Sequence, residues 1–131
     1  MTTEYRKILL DGYPILAVRD DHMLRTKDGR SVHVDEAVHL PPVEPTKIIC
    51  VHLNYHSRVD EFITKLPSAP TWFHKPVSAL NTHNGDIVRP RRCKWLNYEG
   101  EIAIVIGKHC RNVAPEDVGD YIAGYSVAND Y

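Results

Sequence analysis

The sequence predicts a mainly β fold with short helices, of the α+β kind. Three observations carry this reading. Residues 99–107 and 124–130 are apolar runs of strand length, rich in β-branched residues in the first case. Asp28-Gly29 lies between two short alternating segments, where a tight hairpin needs the positive φ that this dipeptide supplies. Leu40-Pro41-Pro42-Val43-Glu44-Pro45 places three prolines in five positions, which removes amide donors and favours an extended connector over a helix.

Taken in order, strands are expected near Tyr5–Leu10, Ile15–Val18, Met23–Thr26 and Ser31–Val34, with Asp28-Gly29 turning the last pair. The proline-rich connector sets a boundary, giving a β-rich N-terminal arm over 1–45 and a second region over 46–131. Lys47–Leu53 reads as a buried strand, Val59–Leu66 as a short helix, and Pro67-Ser68-Ala69-Pro70 as its stop. Asn84-Gly85-Asp86 is a further turn, and Pro115-Glu116-Asp117 opens a brief helix with proline and acids in its first turn.

Composition narrows the function classes. A chain of 131 residues, 43% hydrophobic and 25% charged, can bury a modest core. A formal net charge of −1 offers no electrostatic drive toward nucleic acid or an anionic membrane. No apolar stretch approaches the length of a bilayer span, and Met1-Thr2-Thr3-Glu4-Tyr5-Arg6-Lys7 lacks the apolar centre of a signal peptide, so the cytoplasm is the expected compartment. Cys50, Cys93 and Cys110 are widely spaced and odd in number, which fits reduced thiols in a core better than a disulfide framework or a zinc knuckle.

The chemistry-bearing pattern is Tyr98-Glu99-Gly100-Glu101. Alternation by two sends Glu99, Glu101, Ala103 and Val105 to one face of a strand and Gly100, Ile102, Ile104 and Ile106 to the other. Two ionised carboxylates side by side repel, and burying them demands a proton, a base or a metal. Asp130, at the end of the second strand-like run, offers a third oxygen donor. Such a set suits Mg²⁺, Mn²⁺ or Ca²⁺ and leaves about half of an octahedral shell for water or a chelating substrate. An exposed edge strand bearing two acids is the plain alternative.

The blocks Lys47–Tyr55, Trp72-Phe73-His74-Lys75-Pro76, Tyr98-Glu99-Gly100-Glu101 and Gly124–Asp130, in this order and spacing, resemble the signature of the fumarylacetoacetate hydrolase family. The likeness is greatest to the bacterial isomerases and decarboxylases of aromatic catabolism that handle hydroxy-diene and oxo-dicarboxylic acids. It covers residues 45–131 well and the first 45 loosely. It implies a mixed β-sandwich roll that family members continue past residue 131, a divalent metal (Mg²⁺ or Mn²⁺, with Ca²⁺ possible in crystals) on Glu99, Glu101 and Asp130, and a homodimer. It implies isomerisation (tautomerisation) or decarboxylation of a small-molecule oxo-dicarboxylate through a metal-stabilised enolate. A C–C hydrolase of the acylpyruvate or fumarylacetoacetate type, and a non-catalytic module binding metal and 2-oxo acids, are the alternatives.

Further roles follow from the same resemblance. Lys75 aligns with a lysine that the family places near the metal, suited to an oxyanion or a proton shift. Hydrolase members carry a His three residues before a Glu in the segment after Asn-Tyr; here the segment is Asn54-Tyr55-His56-Ser57-Arg58-Val59-Asp60-Glu61, with Arg58 at the His position and Glu61 retained. Arginine is no general base at neutral pH, which weighs against water-attacking hydrolysis. Its bidentate fork suits a substrate carboxylate, although an exposed arginine at a helix start reads almost as well. Glu61 is left as the candidate base, and Tyr55 and His56 as candidate substrate contacts beside Arg58. Arg89, Arg91, Arg92 and Lys94 form a basic run that is either a solvated loop or an attractor of anionic substrate. His33, His39, His83 and His109 have no second ligand at metal spacing, and His74 borders Lys75.

Overall fold

The structure, a computed structural model, describes residues 2–62 and 65–131. Its residues fall into two compact units, one ending at Asp86 and one spanning Ile87–Tyr131. Each is described by itself.

The first unit opens with an antiparallel meander. Strands β1 (Tyr5–Leu10), β2 (Tyr13–Asp20), β3 (Met23–Thr26), β4 (Ser31–His33) and β5 (Val38–His39) lie in the sheet order β4-β3-β2-β1-β5. β1 and β2 join through Asp11-Gly12 alone, both at positive φ (52° and 82°), the geometry a two-residue hairpin requires. Gly29, at φ 89°, turns β3 into β4 at the predicted Asp28-Gly29 position. Period-two alternation places Ile8, Ala17 and Leu24 on one face of the sheet, where they form a buried cluster with Leu10, Val32, Val34 and Ala37 packed around it.

Beyond the connector, β6 (Ile48–His52) pairs antiparallel with β7 (Thr71–Lys75), Ile48 opposite Lys75 and His52 opposite Thr71. Strand β6 was expected to be buried, yet its residues are half-buried or exposed, because a two-stranded sheet offers little cover to its faces. Leu53 follows at φ 52°, a left-handed conformation that costs an ordinary L-residue about 1–2 kcal/mol and swings the chain from β6 toward helix α1 (His56–Glu61). That helix begins three residues earlier than the sequence suggests. Extended Tyr55 caps it, its carbonyl accepting from the amides of Arg58 (3.1 Å) and Val59 (3.3 Å). Val59 is its one buried residue and Phe62, just past its end, is 63% exposed, so little packing holds the helix beyond Glu61. Of the expected span, residues 63 and 64 lie outside the described residues.

The second unit is built on the antiparallel pair β8 (Gly100–Ile106) and β9 (Ile122–Asn129). The brief helix expected at Pro115 is a 3-10 helix, Pro115–Tyr121, with Pro115 in its first turn and Glu116 and Asp117 beside it. Along β8 the expected alternation holds, but its sense is notable. The Glu101, Ala103 and Val105 face is the half-buried one, whereas Ile102, Ile104 and Ile106 are 76%, 56% and 55% exposed. Cys50 and Cys93 are half-buried, but Cys110 is exposed in the loop after β8, among Lys108, His109 and Arg111, contrary to the expectation of a core thiol.

Candidate metal centre

Glu99, Glu101 and Asp130 each direct one carboxylate oxygen into a common volume, these oxygens all lying within 4.8 Å of one another. The ladder explains the convergence. Gly100 pairs with Asn129 and Glu101 with Ala128, so positions 99 and 101 of one strand and 128 and 130 of the other share a face. The Asp130 amide donates to the Glu99 carbonyl at 3.0 Å, carrying the register one residue past β9. The Glu99 amide donates to Asn129 Oδ1 at 2.9 Å. Ala128, opposite Glu101, ends at Cβ, so no long side chain stands at the position facing that glutamate. Asn129 and Ala128, one and two residues before Asp130, have no role that the sequence alone reveals; only the register gives them meaning.

Three like charges at this separation repel. Coulomb's law gives about 1 kcal/mol per pair in water and about 3 kcal/mol at an effective dielectric of 20, and solvent access favours the lower figure. The donor chemistry fits a hard divalent cation: all three groups are carboxylates, with no thiolate or imidazole among them. Glu101 and Asp130 are half-buried, which keeps the set open to a ligand.

The other expected site residues belong to the first unit. Arg58 Nη1 meets Glu61 Oε2 at 2.6 Å, one helical turn apart, the arginine side chain 26% and the glutamate 60% exposed. Tyr55 and His56 are exposed at the start of α1, and Lys75 is half-buried at the end of β7, before Pro76. Among the remaining histidines, His39 is buried, its Nε2 3.0 Å from the Val34 carbonyl, and its ring meets His83 edge-on with centroids 4.9 Å apart.

Fold and site together define a mainly β protein whose β8–β9 pair gathers an all-carboxylate cluster of the type that suits a hard cation. Residues 47–131 match the family described as Fumarylacetoacetate (FAA) hydrolase C-terminal, and the chain belongs to the fumarylacetoacetate hydrolase family. An uncharacterised protein of Methanocaldococcus jannaschii is 42% identical over 107 residues, covering 82% of this chain and 43% of that protein. The homoprotocatechuate catabolism bifunctional isomerase/decarboxylase of Escherichia coli is 34% identical over 125 residues, covering 95% of this chain and 28% of the relative. The crystal structure of 2-hydroxyhepta-2,4-diene-1,7-dioate isomerase from Mycobacterium marinum superimposes with a TM-score of 0.81 at 26% identity, over 98% of this chain and 54% of that one. The chain thus spans less than half the length of these curated relatives and about half of this structural neighbour. The fold is the fumarylacetoacetate hydrolase type that the sequence blocks imply. Among the described residues, no helix is long and apolar enough to cross a membrane.

Proposed function

We propose that this chain carries the cation-binding part of an enzyme that isomerises or decarboxylates a 2-oxo or 2-hydroxy-diene dicarboxylic acid, with Mg²⁺ or Mn²⁺ held by Glu99, Glu101 and Asp130. The observation that carries the reading is the convergence of the three carboxylates on one face of the β8–β9 pair. The E. coli relative, a bifunctional isomerase/decarboxylase aligned over nearly the whole of this chain, supports the reaction class. A divalent cation supplies Lewis acidity toward a 2-oxo acid, polarising its carbonyl.

The protein's own groups take the remaining tasks in this reading. Arg58 presents a planar fork to a substrate carboxylate, with Tyr55 and His56 as neighbouring polar contacts. Its ion pair with Glu61 sets that fork beside the carboxylate proposed as the proton acceptor. Lys75 is suited to donate to an oxyanion or return the proton. Arg58 where a general base would activate water supports proton transfer or CO₂ loss over hydrolysis. In this reading the whole protein works in the cytoplasm as a homodimer, with residues 1–45 an arm preceding a catalytic region that starts at 46.

A Mn²⁺ titration with and without oxalate, a chelating mimic of an enolised 2-oxo acid, tests the reading. Oxalate binding that appears only with the metal, and disappears in Glu101→Gln, is the expected result. Oxalate binding of equal strength without metal, or Mn²⁺ affinity unchanged by Glu101→Gln, overturns it.

A further inference from the structure

The segment leading into β8 carries four cations in six positions, Arg89, Arg91, Arg92 and Lys94, all exposed. They differ from the arginines of the first unit. Arg6, Arg19, Arg25, Arg30 and Arg58 each meet a carboxylate within 3.4 Å. Among the described residues, Arg89, Arg91, Arg92 and Lys94 have no carboxylate partner and no hydrogen bond from their side chains. The segment is nevertheless folded on itself: the Cys93 amide donates to the Pro90 carbonyl at 2.9 Å, and the Cys93 thiol donates to the Trp95 carbonyl at 2.7 Å. Two large aromatic rings stand out beside the cations, Trp95 84% and Tyr98 78% exposed.

Uncompensated positive charge beside open aromatic faces attracts a ligand that is both anionic and planar. We infer that residues 89–98 form a capture site for conjugated polycarboxylates, in which Arg91 and Arg92 meet carboxylates and the Trp95 ring stacks on the unsaturated carbon chain. The inference rests on the proposed substrate class and assigns its selection to this chain's own loop. Single-stranded nucleic acid would also use cations and aromatic rings. A short polycarboxylate is the better match, because the basic run passes within five residues into the acidic trio, which repels an extended polyanion.

The test uses Trp95 fluorescence with the metal-free protein, so that its failure is separate from failure of the cation site, which a Mn²⁺ titration reads independently. The probes are trans,trans-hexa-2,4-dienedioate, its saturated counterpart hexanedioate, the monoanion hexa-2,4-dienoate and an oligothymidylate. The diene dianion is expected to change the emission, with affinity falling roughly fivefold between low and physiological salt. The saturated dianion and the monoanion are each expected to bind at least fivefold more weakly. The signal is expected to vanish in Trp95→Phe. The pair Arg91→Gln and Arg92→Gln is expected to weaken the diene dianion at least fivefold while leaving Mn²⁺ affinity no weaker than before. Equal affinity for all three small acids, an unchanged affinity in the double variant, or tighter binding of the oligothymidylate than of the diene dianion overturns the inference.

Discussion

The amide of Asp130 donates to the carbonyl of Glu99 at 3.0 Å, so the outermost carboxylates of the trio are joined through the backbone before any cation arrives. The acids are therefore preorganised by strand register, and the repulsion among them is sustained by the ladder rather than relieved by side-chain escape.

Neutralising one member should then have opposite effects on folding and on binding. Glu101→Gln is expected to raise the melting temperature of the metal-free protein by a degree or two, since it removes two repulsive pairs. It is expected to weaken Mn²⁺ binding at least tenfold, about 1.4 kcal/mol. Differential scanning fluorimetry with and without Mn²⁺ reads both effects. A Glu101→Gln protein that Mn²⁺ stabilises as well as the parent contradicts the assignment.

Asn129 and Ala128 give a second prediction. Asn129→Ala leaves the Glu99 amide without its side-chain acceptor and should cost about 1 kcal/mol of stability. Ala128→Leu places a branched side chain opposite Glu101 on the face the carboxylates share and should reduce Mn²⁺ affinity several-fold. Titration calorimetry on both variants distinguishes a trio held by register from three acids that meet by chance.

Much of this was legible in the residues. The alternation of 99–107 placed both glutamates on one face, and Asp28-Gly29 marked its hairpin. The Asp11-Gly12 turn carries the same signal, but with the second strand expected only from Ile15 its tightness shows only in the ladder, where Leu10 pairs with Tyr13. Strand β7 is not legible because Thr71–Lys75 has two aromatic residues and a lysine but no strict alternation; it exists by pairing with β6, whose partners lie from 19 (His52 and Thr71) to 27 (Ile48 and Lys75) positions away in sequence, which local pattern cannot supply. The helix expected at 59–66 begins at His56 because Tyr55, and no Ser, Thr, Asp or Asn, provides the extended cap. The convergence of Asp130 on the glutamates is a property of register, which no single strand's sequence specifies.

The Arg58–Glu61 pair separates structural from functional roles. Both side chains reach solvent, so breaking the pair should cost no more than about 1 kcal/mol. Arg58→Ala is therefore expected to stay folded and, in the whole enzyme, to raise KM for a dicarboxylate about tenfold or more with a smaller change in kcat. Steady-state kinetics with matched mono- and dicarboxylate substrates checks this; equal effects on both would remove Arg58 from carboxylate recognition.

His83 yields a prediction in pH. Although His83 is exposed, desolvation by its neighbours, reinforced by the charge of Arg6, by His39 and by Arg19, lowers its pKa below the ordinary 6.5, while Glu4 pulls the other way. Next to it, the Thr82 hydroxyl donates to the His39 carbonyl at 2.6 Å, tying this loop to β5. A histidine whose pKa is depressed on folding binds its proton more readily in the unfolded chain. Above pH 6.5 it is neutral in both states and has no effect. As pH falls through the window between 6.5 and the depressed value, the unfolded state gains the proton first and stability declines, levelling off once both states are charged. His83→Gln should therefore flatten the fall in melting temperature between pH 7.5 and pH 5 relative to the parent. The same fall in both proteins would mean that the contact between His39 and His83 does not govern the acid response of the N-terminal sheet.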